Sequence, residues 1–105
     1  MDFQSLDKIL KSEFGLESNH SPSGDYERYS YSFKDKHIEQ KRSQVFREIC
    51  ELKNGGIAGY IYVDHLREYD NHPKKTKMGH LPIGNMTEQE LREITIKVTK
   101  EYKCK

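Results

Sequence analysis

Every apolar segment of this sequence has to share one hydrophobic core, because the chain has only 105 residues. Hydrophobic and charged residues each make up 33% of the chain, which approaches a disordered composition when apolar residues are scattered. Here they fall into short periodic runs, and seven Tyr with four Phe supply large side chains for burial. We therefore expect one domain over residues 1–105, with a narrow stability margin that dimerisation or partner binding would widen.

Charge and cysteine usage limit the possible partners and compartments. Residues 1–35 carry −3 (four basic, seven acidic), and the later segments carry only +1 or +2, so net charge does not favour generic polyanion binding. Cys50 and Cys104 lie far apart without a CxxC spacing, which is typical of reduced thiols in the cytosol. The N-terminus lacks the pattern of a signal peptide and no run approaches 18 apolar residues, so we expect neither secretion nor a membrane partner.

An amphipathic helix is predicted at the N-terminus. Phe3, Leu6, Leu10 and Phe14 recur at three- and four-residue steps, which places them on one helical face. Gly15 follows where a left-handed cap would end the helix.

A central helix is predicted from Asp35 to about Lys53. Asp35 can cap its start, and Asn54 with two glycines can end it. The polar run Glu39–Gln44 leaves its first half solvated. Its apolar residues are Ile38, Val45, Phe46, Ile49, Cys50 and Leu52.

The start of a C-terminal helix is specified twice. Thr87 and Glu90 have the spacing of a capping box, and Met86 and Leu91 have that of a hydrophobic staple. We expect this helix to run through Glu101. The alternative is a strand over its second half, where the sequence ITIKVT is rich in β-branched residues.

Two segments have the period-two alternation of strands. Residues 26–34 place their aromatic side chains on one side, and residues 57–63 separate aliphatic side chains from Tyr60 and Tyr62. Met78–Ile83, which contains a proline, could add a short edge strand.

These elements predict an α/β or α+β fold. It has about three helices (N-terminal, central and C-terminal) packed on a two- or three-stranded sheet. The order strand, helix, strand indicates that the first two strands lie side by side, joined by a crossover that is right-handed if they are parallel. Residues 16–25 and most of 64–85 have the composition of loops.

The densest set of reactive side chains follows the second strand. It consists of Asp64, His65, Asp70, His72 and His80. Imidazole and carboxylate groups can hold a transition metal or transfer protons, so a metal-dependent hydrolase or nuclease with a site at His65, His72 and His80 is one hypothesis. Asp64 and His65 are similar to the opening of a His-Asn-His nuclease, but the C-terminal helix has neither His nor Asn to complete that site. We therefore expect surface or capping histidines and no bound cofactor.

Binding of another macromolecule is the expected function, since no residues form a known nucleophile, phosphate-loop or paired-carboxylate pattern. The expected partner is a protein, met in an inhibitor, adaptor or immunity-type role, or a second copy of the chain. Tyr and Arg are frequent anchors of such interfaces. The expected contact residues are Lys41, Arg42, Tyr60, Tyr62, Lys74, Lys75 and Lys77.

Nucleic-acid binding is the alternative. The loop at residues 72–80 contains three lysines that could contact phosphates, and Tyr60 and Tyr62 could stack on bases. The competing interpretation is that a helix covers the tyrosines and that the lysines only keep the loop soluble.

Overall fold

Five antiparallel strands form one sheet, in the order in which they occur along the chain. The computed structural model describes residues 1–20, 24, 27–33, 44–64, 66–77 and 79–101. Each strand pairs with its neighbours in the sequence. The strands are β1 (Glu17–His20), β2 (Tyr29–Ser32), β3 (Gln44–Glu51), β4 (Ile57–Tyr62) and β5 (His80–Pro82).

The predicted crossover unit is wrong. β2 and β4 are not neighbours, because β3 lies between them and is antiparallel to both. The central helix predicted from Asp35 to Lys53 is also wrong: its second half is β3, whereas residues 34–43, which include Lys41 and Arg42, lie outside the described residues. The described chain therefore has two α-helices on a five-stranded sheet, rather than three helices on two or three strands.

A bulge in β3 explains why this strand has the spacing of a helix. Between Phe46 and Cys50, β3 uses one residue more than the facing stretch of β4. Glu48 lies at this point with a φ of 54°. The extra residue turns both Phe46 and Ile49 toward the core, at a separation of three residues instead of two or four. A bulged strand thus imitates the three- and four-residue steps of a helix.

The N-terminal helix is confirmed. Helix α1 (Phe3–Lys8) is capped by Asp2, whose carboxylate accepts a hydrogen bond from the Ser5 amide at 2.8 Å. It continues as a π-helical turn over Ile9–Glu13. Gly15 then adopts a φ of 64°, the left-handed conformation in which glycine is favoured.

The C-terminal helix is also confirmed. Helix α2 spans Glu88–Glu101, which excludes the alternative of a strand in its second half. The capping box is formed in both directions: the Glu90 amide donates to Thr87 Oγ1 at 3.1 Å, and the Thr87 amide donates to Glu90 Oε1 at 3.2 Å. No helix within the described ranges is long and apolar enough to cross a membrane.

Both helices cover the same face of the sheet, which we call the inner face. Its strand residues Tyr31, Phe46, Ile61 and Leu81 are at most 2% exposed. Cross-strand pairing joins Phe46 to Tyr31 on one side and to Ile61 on the other. The helices and the turn after α1 add Leu6, Ile9, Leu10, Leu91, Ile94 and Val98 to the same core.

Two polar contacts fix the helical layer. The Tyr31 hydroxyl donates to the Asp7 carboxylate of α1 at 2.7 Å. Burial, reinforced by this hydrogen bond, raises the pKa of Tyr31 far above its usual value and keeps the hydroxyl neutral. Arg92 of α2 donates from Nε and Nη2 to the Glu13 carboxylate, with contacts of 2.9 Å, and so joins α2 to the turn after α1.

The outer edge of β5 is closed to further strands. The His80 amide donates to Thr76 Oγ1 at 3.1 Å, and the His80 carbonyl accepts from the Thr76 amide at 2.8 Å. Pro82 has no amide hydrogen to offer. The prediction of a proline-containing edge strand is therefore confirmed for His80–Pro82, whereas Met78 lies outside the described residues.

Candidate functional site

Three rings lie together on the sheet face opposite the inner face. The register places Tyr62 opposite His80 and Tyr60 opposite Pro82. The His80 ring centroid lies 5.4 Å from that of Tyr62 and 6.5 Å from that of Tyr60, and both contacts are edge-on. The three rings are half-buried. Together with Arg47, they define what we call the outer face.

Arg47 of β3 completes this group. It pairs with Tyr60 across the strands and so lies on the same side of the sheet. Burial lowers the pKa of His80, and the charge of Arg47 lowers it further, against the opposing effects of Asp64 and Glu48. The His80 imidazole is consequently neutral near pH 7.

A cleft of about 820 Å³ adjoins the outer face. Tyr60 lines it, so the outer face and the cleft form one continuous surface. A volume of this size falls within the usual range of small-molecule sites, ~300–1,000 Å³. The other lining residues include Arg28, Glu48, Cys50, Tyr69, His72, Lys74, Pro82, Met86, Glu90, Glu93 and Lys97.

The bulge in β3 brings a strained residue to this cleft. Glu48 has a positive φ, a conformation that costs a residue with a side chain roughly 1–2 kcal/mol. Its carboxylate lies 3.5 Å from Nη1 of Arg28. The Nε of Arg28 is buried and has no hydrogen-bond partner among the described residues. Backbone strain and unsatisfied polar atoms are both concentrated at functional sites.

The three lysines of the β4–β5 connection have different surroundings. Lys75 is only 13% exposed, and its ammonium lies 3.4 Å from both the Asp64 and the Asp70 carboxylates. Its charge therefore holds the loop together. Lys74, which lines the cleft, and Lys77 are exposed, and neither forms an ion pair with a described residue.

The histidines proposed as weak metal ligands do not converge in the described part of the chain. His72 Nδ1 accepts a hydrogen bond from the Lys74 amide at 3.1 Å, and its ring contacts Tyr69. His80 instead packs against the outer-face tyrosines, and His65 lies outside the described residues. Within the ranges that the structure describes, no group of three His, Cys, Asp or Glu side chains is placed to hold a metal ion.

Cys50 is a buried thiol that lies outside the main cluster of core side chains. It pairs with Ala58, which faces the same side of the sheet as Tyr60. It is 7% exposed and lines the cleft. Cys104 lies outside the described residues.

The sequence predicts only part of this surface. Tyr60, Tyr62 and Lys74 are expected contact residues, and they lie on the outer face or along the cleft. Arg47 and Glu48 are not expected there, because the spacing of their neighbours predicts a helix. A period-two interpretation of β3 would have placed Arg47 opposite the aliphatic side, but the bulge conceals that period.

No protein-family model, no curated protein sequence and no solved structure matches this chain.

Proposed function

We propose that this chain is a non-enzymatic protein that binds another protein through its outer face and the adjoining cleft. The observation that supports this most directly is the grouping of Tyr60, Tyr62, His80 and Arg47 on the outer face, where all four side chains remain half-exposed. Tyr and Arg are enriched at the centres of protein interfaces, where they lose little conformational freedom for the area they bury.

The packing of the rings favours a protein partner. Tyr60 and Tyr62 are half-buried and held edge-on by His80, so the patch is organised before binding. Preorganised side chains reduce the entropy that association costs. Because His80 is neutral near pH 7, the centre of the patch can be desolvated without burying an imidazolium charge.

The biological role that follows is to block or bridge a partner by binding to it. As an inhibitor, adaptor or immunity-type protein, the chain would act by covering a surface of its partner, with no reaction of its own. The cytosol is the proposed compartment, because the cysteine pattern lacks any disulfide framework and Cys50 is a free, buried thiol.

Nucleic-acid binding is the second candidate, because two tyrosines lie beside Arg47 on a sheet next to the exposed Lys74. Two observations count against it. The ring contacts with His80 are edge-on, which leaves half-buried rather than open ring faces for stacking. The cleft also places Glu48, Glu90 and Glu93 among its cations Arg28, Lys74 and Lys97, so it offers no excess of positive charge to attract phosphates.

Affinity capture from cells that naturally contain the protein tests this proposal. The full chain serves as bait in nuclease-treated and untreated extracts, beside a double variant, Tyr60→Ser with Tyr62→Ser. The control is Tyr29→Ser, which removes a half-buried ring that packs with Phe3 and therefore lies on the helix-covered side. Circular dichroism verifies that each bait is folded.

We expect a co-purifying protein that survives nuclease treatment, is lost from the double variant and is retained by the control. Retention by the folded double variant would disprove the proposal. Loss of the partner on nuclease treatment would favour the nucleic-acid candidate.

A further inference from the structure

His80 is held in the outer face by its backbone as well as by its ring. Its amide donates to Thr76 Oγ1 at 3.1 Å, and its carbonyl accepts from the Thr76 amide at 2.8 Å. Its ring lies edge-on to Tyr62 and Tyr60, with centroid distances of 5.4 and 6.5 Å. Tyrosine rings carry no charge near neutral pH, so these contacts supply no counter-ion for an imidazolium.

Three charged side chains act on the His80 ring. Arg47 of β3 disfavours a proton there, whereas Glu48 of β3 and Asp64, two residues after β4, favour one. Burial is the largest effect, and together with Arg47 it lowers the pKa of His80 in spite of the two acids. The surroundings as a whole therefore favour the neutral imidazole.

The two acids near His80 are already paired with cations of this chain. The Glu48 carboxylate lies 3.5 Å from Nη1 of Arg28, and the Asp64 carboxylate lies 3.4 Å from the Lys75 ammonium. Neither acid can turn to an imidazolium at His80 without leaving its own cation.

A second contact between histidine and tyrosine in the same sheet has the opposite surroundings. His20 of β1 stacks on Tyr29 at a centroid distance of 4.9 Å, and its Nε2 contacts the Glu27 carboxylate. His20 is exposed. A proton on His20 thus meets solvent and a carboxylate, whereas a proton on His80 meets partial burial and a guanidinium.

We propose that His80 makes partner binding at the outer face acid-sensitive: the partner binds while the imidazole is neutral and is released when the ring takes up a proton. This inference rests on the proposed function and adds a form of regulation to the same surface. A partner that covers Tyr60 and Tyr62 also removes water from the ring between them and Arg47. An imidazolium there would be desolvated without a free counter-ion.

The direction of the pH dependence follows from linkage. A histidine that stays neutral in the complex gives up its proton on binding. Affinity is therefore highest above the pKa of His80 in the free protein and falls as the pH drops below it.

The protonation of His80 is measured first in the free protein. An NMR titration from about pH 7.5 to about pH 5 follows the ring signals of His80, Tyr60 and Tyr62. We expect the tyrosine signals to change together with the protonation of His80. A His80 midpoint at or above the ~6.5 of an unperturbed histidine would overturn the inference, because the outer face would then accommodate the imidazolium.

Partner binding is then measured at about pH 7.5 and about pH 5, with nuclease-treated cell extract as the probe. Increasing amounts of the immobilised full chain are added, and mass spectrometry of the depleted extract gives an apparent Kd for the captured protein. The variant is His80→Gln, whose side chain cannot take up a proton. Both hydrogen bonds to Thr76 are made by the His80 backbone, so the variant can retain them. The matched control is His20→Gln, and circular dichroism verifies that each chain is folded at both pH values.

We expect the apparent Kd of the unsubstituted chain to rise about tenfold from the higher to the lower pH, which corresponds to a difference of about one unit between the free and bound pKa values of His80. His20→Gln should show the same rise. His80→Gln should lose most of it, whatever its affinity at the higher pH.

The results that would contradict the acid sensitivity are distinct from those that would contradict the proposed function. An equal rise in His80→Gln, or tighter binding of the unsubstituted chain at the lower pH, would overturn the inference. An unchanged Kd for a protein that is still lost from the Tyr60→Ser with Tyr62→Ser variant would also overturn it and leave the proposed function standing. Capture that does not require Tyr60 and Tyr62 would disprove the proposed function and the inference together.

Discussion

The two faces of the sheet are built from the same strands and have opposite properties. On the inner face, Phe46 and Ile61 pair across β3 and β4 and are fully buried under the helices. One residue further along each strand, Arg47 pairs with Tyr60, and both are only half-buried. The inner face holds the fold together, whereas the outer face keeps large rings and a guanidinium partly exposed. A difference of one residue thus separates a structural position from a candidate binding position.

The largest difference between the two faces is expected in the loss of stability when one side chain on each face is truncated. Phe46→Ala removes a fully buried ring that packs edge-on against Tyr31, so we expect a loss of about 3–5 kcal/mol in the free energy of unfolding. Tyr60→Ala should cost less than half of that, because its ring is already half-exposed. Urea unfolding measures both values. Equal losses would mean that the outer face is a second core.

Substitution of Gly59 tests how tightly the inner face is packed around the bulge. A Cβ on Gly59 would lie 3.0 Å from Ile49 Cα and 3.2 Å from the Glu48 carbonyl oxygen, which are backbone atoms that cannot rotate away. We expect Gly59→Ala to cost about 1–3 kcal/mol through overpacking.

Gly15→Ala is the control for this substitution. Gly15 also has a positive φ, but a Cβ there would meet no atom within 4 Å. It therefore measures backbone strain without steric conflict. If thermal or urea unfolding showed the two variants to be equally stable, the close approach of β3 to Gly59 would be wrong.

The strained backbone of Glu48, the residue after Arg47 in β3, should lower the stability of the fold. Glu48→Gly relieves the positive φ, so we expect the free energy of unfolding to rise by about 0.5–1 kcal/mol. Glu51→Gly, at an exposed position on the same strand, should lower it by a similar ~0.5–1 kcal/mol. A decrease in both variants would show that Glu48 is not strained. A gain in stability accompanied by weaker partner binding would link the strain to function.

The smallest effect is expected from titration of His80. Its pKa is lowered in the fold, so the unfolded chain takes up this proton more readily than the folded chain as the pH falls below about 6.5. The contribution of His80 to stability is therefore present above that pH and is lost as the pH falls through the folded pKa. His80→Gln should flatten the decline in melting temperature over this range. An unchanged pH profile in the variant would contradict the partial burial of His80, which is the main cause of its lowered pKa.

What the sequence could predict depended on whether an element is defined locally or by its partners. Helix α2 was predictable because Thr87 and Glu90 cap it within four residues, and β4 because its alternation is unbroken. β1 was not predictable, because its sequence ESNH is polar and mostly exposed, and only pairing with β2 makes it a strand. β3 was misassigned because its bulge at Glu48 gives it helical spacing.

The same distinction applies to the candidate site. Tyr60 and Tyr62 were predictable because they alternate with aliphatic residues on a single strand. Their grouping with Arg47 and His80 depends on the register among three strands, which the bulge shifts by one residue. The separate roles of Lys75 and Lys74 depend on which carboxylates approach each ammonium. Such relations are set by tertiary structure and are not visible in spacing along the chain.

The central claim is that the outer face is the surface the partner covers, and hydroxyl-radical footprinting of the captured complex tests it most directly. The side-chain reactivities of Tyr60 and Tyr62 are compared with that of Tyr29 in the free protein and in the complex. We predict strong protection of both outer-face tyrosines on complex formation and no change at Tyr29. Unchanged reactivity of Tyr60 and Tyr62 in a complex that protects other residues would contradict the claim.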